Sequence, residues 1–140
     1  MSNPSNFVVC SSVAGSAHVN SGIVCQDCSN TAVSGRSFDT TVLAISDGAG
    51  SSKFSDVGSL VVVEEILSWF TSFFADHPRP QDLIRELEEK DVIDLLADIK
   101  TSIDTKATEF ESSRREFAAT MLGAVVHPEA SFLFQIYLSF

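Results

Sequence analysis

Thr40 to Gly50 reads TTVLAISDGAG, and this stretch decides the fold. Val42 to Ile45 is a short apolar run that breaks abruptly at Ser46-Asp47-Gly48. A run that short, stopped by glycine, predicts a buried strand meeting a tight turn. Turns at strand ends are where a rigid sheet presents functional groups. Asp47 would then stand at the rim of a core, beside glycines that let other groups come close. A carboxylate so placed suits a hard divalent cation, which takes carboxylate, carbonyl and water oxygens. It equally fits a plain Asp-Gly turn with a solvated side chain, the commoner use of that pair on spacing alone.

Outward from this strand, the chain orders itself around it. Phe7 to Val13 predicts a first strand. Ala17 to Gly22 is polar with weak alternation and ends in a turn signal, and Ile23 to Val33 can hold a strand with Asp27 near one end. Ser34 to Asp39 reads as a hairpin-like loop leading into the central strand, Thr41 to Ser46. After the small-residue loop, Ser55 is placed to cap a helix in which Val57, Leu60, Val61, Ile66, Leu67, Phe70, Phe73 and Phe74 recur at helical spacing. His77-Pro78-Arg79-Pro80 ends that helix. A second helical region runs from Gln81 to about Ile103, with a break near Lys90-Asp91. Arg114 to Val126 predicts a strand, His127 to Ala130 a turn, and Ser131 to Ile136 its partner. Strands, then helices, then a hairpin is the α+β pattern of segregated elements, in a single domain spanning residues 1–140.

Composition narrows the function classes. A hydrophobic fraction of 44% and eleven phenylalanines exclude a disordered tail. The net charge of −10 argues against nucleic acid and against an anionic membrane surface as partners. Val61 to Phe74 is the most apolar segment, but it is short for a bilayer and interrupted by Glu64-Glu65. The N-terminus lacks the pattern of a signal peptide, and three cysteines make no even disulfide set, so a reducing, cytoplasmic location is expected. Cys25-Gln26-Asp27-Cys28 is a lone C-x-x-C, and His18, His77 and His127 are not at zinc-ligand spacing. His18 reads as a structural residue near the site or a phosphate contact. Arg36, Arg114 and Arg115 read as surface charge or phosphate contacts.

Three stretches in order carry a resemblance. GSAHVNSGIVCQDCS (15–29), VLAISDGAGSSKFSDVGSLVVVEEI (42–66) and EFAATMLGAVVHPEASFLFQI (116–136) resemble the type 2C, or PPM, family of metal-dependent protein serine/threonine phosphatases. The S-x-H-x-x-x-G-x-x-C-Q-D form resembles a bacterial subgroup. The resemblance implies an αββα sandwich of two stacked antiparallel sheets with flanking helix pairs, of which this chain would be a partial version. It implies a pair of Mg²⁺ or Mn²⁺ ions and a metal-activated water between them that attacks a phosphoserine or phosphothreonine in a phosphoprotein substrate. Catalytic roles fall on Asp27 and Asp47. Asp47 would ligate metal, Gly48 would offer its carbonyl, Asp27 would act through water, and Gln26 would be a weak neutral ligand where many members carry Glu. Ala49 stands where eukaryotic members have a proposed general-acid His, and Gly22 where others have a phosphate-binding Arg. The family pattern continues past Gln135-Ile136 with Gly-Asp-Gly and later brings two more Asp ligands, whereas here Tyr137-Leu138-Ser139-Phe140 follow. The resemblance therefore implies the N-terminal part of a phosphatase domain, truncated after Ile136 and weakly active or inactive. The alternative is a non-catalytic remnant or binding module. Unpaired strands and uncovered inner faces at Phe132, Phe134 and Ile136 would make it prone to self-association through its C-terminal edge.

Overall fold

The computed structural model describes residues 8–35 and 39–138. In chain order these form α1 (Ser16–Ser21), β1 (Asp27–Ser34), β2 (Thr40–Asp47), α2 (Ser55–Phe74), α3 (Pro80–Glu86), α4 (Glu89–Glu109), a 3-10 turn (Arg114–Phe117), β3 (Ala119–His127) and β4 (Ala130–Leu138). The strands make one antiparallel sheet in the order β1-β2-β3-β4, with helices against one face, so the fold is α+β. Among the described residues this is a single sheet layer of the sandwich that the resemblance implies.

β2 is an inner strand, paired with β1 on one side and β3 on the other. Its alternation sets the layers: Val42 and Ala44 are fully buried, whereas Ile45 is 49% exposed on the opposite face. The buried face meets α2, which contributes Val62, Ile66, Phe70 and Phe74 to the core. By length and composition α2 could cross a membrane; here Val62, Ile66, Phe70 and Phe74 are buried in the core while Leu60 and Phe73 are exposed. Small residues at its start let it come close. A Cβ at Gly58 would stand 2.1 Å from the carbonyl oxygen of Phe117. Ser55 is not the cap: Phe54 holds that position without a side-chain bond, and the Ser55 hydroxyl is buried with no partner.

α4 packs on α2 through Leu95, Ile99 and Ile103, and the Ser102 hydroxyl donates to the Glu65 carboxylate at 2.5 Å. The break between α3 and α4 falls at Leu87-Glu88, just before the predicted site. Glu88 and Asp91 form a capping box there, so Asp91 starts a helix rather than interrupting one.

Two predicted strands are corrected. Phe7 lies outside the described residues, and residues 8–13 form no strand. Val9 and Val13 are about 80% exposed, at 80% and 79%, and the Ser12 hydroxyl instead bonds that of Ser29 at 2.9 Å. The polar stretch after it is the short helix α1, closed by Gly22 in the left-handed region at φ 67°. The strand expected from Arg114 starts only at Ala119. Arg114–Phe117 turn inward because Phe117 is fully buried, stacked on Phe54 at 5.3 Å and edge-on to Phe110 at 5.8 Å. The Arg114 guanidinium also bonds Asp104 of α4 at 2.6 Å, which ties this turn to that helix. In the hairpin, Gly123 lies opposite Phe134, and a Cβ there would stand 2.2 Å from that ring. Phe132, Phe134 and Ile136 are half-buried against the core, so the apolar surface left bare is on the other face of the sheet.

Candidate functional site

Asp27 opens β1, Asp47 closes β2, and the two are directly opposite in the antiparallel register. Side chains at opposed positions share a face and approach closely. The Asp27 and Asp47 carboxyl groups are within hydrogen-bonding reach of each other. Burial first, then the hydrogen bond and charge of Asp47, hold the Asp27 carboxyl above the usual carboxylate range, while His18 of α1 pulls it down. The structure thus brings together Asp27 and Asp47, with His18 acting on Asp27 only through its charge. Like carboxylates at such range favour sharing a proton or binding a cation.

The backbone around the pair is fixed by close packing. The Gly48 amide donates to the Gln26 carbonyl at 3.1 Å. A Cβ on Gly48 would lie 2.5 Å from that oxygen and 2.6 Å from the Ser55 carbonyl, so only glycine fits between β1 and the start of α2. The Ser59 hydroxyl of α2 donates to the same Gln26 carbonyl at 2.6 Å. The Gln26 side-chain oxygen reaches toward the following loop, 3.8 Å from where a Cβ of Gly50 would stand.

Asp47 itself is positioned by β3. Its amide donates to the Thr120 hydroxyl at 2.9 Å, and the Ser46 hydroxyl donates to the Thr120 carbonyl at 2.6 Å. Two hydroxyls thereby bond across the stretch between the Ile45–Leu122 pair and the Gly48–Ala119 bridge. Asp47 stands between two cavities. One, of about 450 Å³, is lined by Val9, Cys10 and Ser12 together with Asp27 and Asp47. The other, of about 360 Å³, is lined by Gly48, Gly50, Thr120 and Tyr137.

Other predicted candidates lie elsewhere. Arg36 is outside the described residues. Arg114 pairs with Asp104, and the Arg115 carbonyl accepts from Ser52. Cys10, Cys25 and Cys28 are free thiols, and burial, then Glu64 and Cys25, push the Cys28 thiol up, away from thiolate chemistry. Thr120, Ser46 and Ser59 were missed from sequence. Each is a small hydroxyl in an apolar or small-residue run, and what it touches depends on strand register across as many as 74 residues.

The donors gathered here are all oxygen: two carboxylates and nearby backbone carbonyls. That set fits Mg²⁺ or Mn²⁺ rather than a soft metal. Among the described residues no three His, Cys, Asp or Glu side chains cluster as a ligand group. A family model described as protein phosphatase 2C matches residues 14–136, which take in α1, the Asp pair, α2 and the Thr120 strand. No curated protein and no solved structure matches the chain.

Proposed function

The chain belongs to the protein phosphatase 2C family, and from that premise we propose that it carries part of a metal-dependent phosphoprotein phosphatase centre. One observation carries the reading: Asp27 and Asp47 face each other at the end of two paired strands. Asp47 would hold a Mg²⁺ or Mn²⁺ ion, with the Gly48 carbonyl beside it and Asp27 acting on ion-bound water. Gln26 is a neutral, weaker donor. When bound, such an ion supplies a water of lowered pKa and neutralises charge on phosphoryl oxygens. The chain's own residues do the positioning. Thr120 holds the Asp47 amide, Gly48 keeps the turn tight against α2, and the Asp pair orients water and can hold its proton. The substrate class is a phosphoserine or phosphothreonine side chain of a protein.

A second reading is a non-catalytic module that keeps this part of the fold. Among the described residues no third carboxylate joins the pair, and two carboxylates are few for a two-ion centre, which favours this reading where the chain acts alone. Both readings are tested by assaying the chain with p-nitrophenyl phosphate and Mn²⁺. We expect slow, Mn²⁺-dependent turnover that is lost in Asp47→Asn. Fast turnover of that kind rejects the non-catalytic reading, and turnover indifferent to Mn²⁺ and to Asp47→Asn rejects the phosphatase reading.

A further inference from the structure

Residues 49–54, just past the Asp47-Gly48 turn, run alongside residues 115–118 in the opposite sense. The Ala49 amide donates to the Ala118 carbonyl at 2.9 Å, and the Phe54 amide to the Glu116 carbonyl at 2.8 Å. The Ser52 hydroxyl donates to the Arg115 carbonyl at 3.0 Å, and the Lys53 amide to the Glu116 carboxylate at 2.9 Å. These bonds set Lys53 beside Arg115. The chain has nine Lys and Arg residues, and all but Arg36 are described. Five of those eight are in ion pairs. Lys53 and Arg115 are in none among the described residues, and both are exposed. The one carboxylate on these two segments, Glu116, is engaged by the Lys53 amide. The Lys53 ammonium lies 4.8 Å from the centre of the Phe54 ring, and Phe54 is stacked on Phe117 at 5.3 Å. A ring face steers an ammonium without neutralising it. In a chain of net charge −10, two adjacent exposed cations left without a carboxylate partner suit an anion that comes from another molecule.

We propose that Lys53 and Arg115 seat acidic residues that flank the phosphorylated residue of a peptide substrate, so that the chain prefers phosphoproteins with Asp or Glu near the phosphate. The inference rests on the phosphatase reading of Asp27 and Asp47. Arg115 offers a planar fork that takes a carboxylate through two bonds, and Lys53 a point charge on a flexible stem. Reach fits as well. Arg115 lies five residues before Thr120, whose hydroxyl holds the Asp47 amide, so the two backbones are at most about 18 Å apart. An extended peptide covers that span in about five residues, which puts its flanks, rather than its phosphate, at the cations. The two cations also offset the like charge that an acidic peptide meets at the Asp pair.

Fluorescence anisotropy of the full chain with Mn²⁺ tests this on labelled phosphoserine peptides flanked by glutamates or by alanines, beside their unphosphorylated counterparts. Wild type should bind the glutamate-flanked phosphopeptide about three- to tenfold more tightly than the alanine-flanked one, the size that two exposed charge pairs supply. Exposed charges are screened, so this ratio should shrink toward one at about 1 M salt. Lys53→Gln and Arg115→Gln should each lower it, and the double variant should remove it. Lys53→Glu combined with Arg115→Glu should instead favour a lysine-flanked phosphopeptide, a gain that a misfolded chain does not show. A wild-type chain that binds the glutamate-flanked peptide no better than the alanine-flanked one, or binds neither, overturns the inference. A preference that survives in the double glutamine variant overturns it too, because the acid is then read elsewhere. An acid preference that the double variant removes, but that is the same with and without the phosphate, overturns the phosphatase reading instead.

Discussion

Asp27, though exposed, holds its proton more tightly than a fully solvated aspartate, first because part of its solvation is lost and secondly because of Asp47. A titration of side-chain carboxyl carbons by NMR should therefore show the Asp27 value falling part of the way to normal in Asp47→Ala, the burial share persisting. An unchanged value would mean that the two carboxyls do not interact. The linkage has a definite sign. A carboxyl whose folded value is raised adds stability that is full below the ordinary aspartate range and is lost as pH rises through the raised value. For the metal-free chain, Asp27 thus works against the fold at neutral pH, and Asp47→Ala should relieve part of that loss. At this scale the sequence was half legible. Asp47-Gly48 announced itself as a strand end meeting glycine, and Asp27 was placed near the end of a strand. The hydroxyls of Thr120 and Ser59, which fix the two turns, were not legible, because a lone Thr or Ser carries no sign of the carbonyl or amide it will meet.

α2 and the 3-10 turn are packed to the limit of the backbone. Alanine at Gly58 would favour an isolated helix by up to about 1 kcal/mol, but its Cβ would stand 2.1 Å from the Phe117 carbonyl oxygen, 2.8 Å from the carbonyl carbon and 3.1 Å from the Cα. All three are backbone atoms, so no side-chain rotation relieves the contact. Overpacking of this kind costs about 1–3 kcal/mol, and Gly58→Ala should lower the urea midpoint despite its better propensity. An unchanged or raised midpoint would show that the turn can withdraw from the helix. Element reading succeeded where periodicity was strong: β2, α2, α4 and the β3–β4 hairpin each follow from their apolar spacing. It failed where tertiary contact decided the outcome. The strand was read back to Arg114 from the small and β-branched residues toward Val126, yet Phe117 is drawn into a cluster with Phe54 and Phe110. Val8, Val9 and Val13 look like strand residues, but no ladder receives them beside β1, and they lie at the surface.

The whole molecule sets two opposing terms against each other. Its surface carries a net charge of −10, from 19 acidic and 9 basic residues, which repels any second copy. Exposed apolar residues of the sheet, such as Leu133 and Tyr137, would favour one by their burial. The repulsion acts over a Debye length of about 30 Å at 0.01 M salt but only about 10 Å at 0.1 M, whereas burial of apolar surface is not weakened by added salt. Self-association should therefore strengthen as sodium chloride rises from 0.01 M toward 0.5 M, the reverse of an interface built on ion pairs. The dissociation constant from sedimentation equilibrium across that series decides the matter. A constant that rises with salt would assign the contact to charged groups such as those of α4 rather than to the sheet. Sodium sulfate should tighten the association further at equal ionic strength, because it is excluded from protein surface.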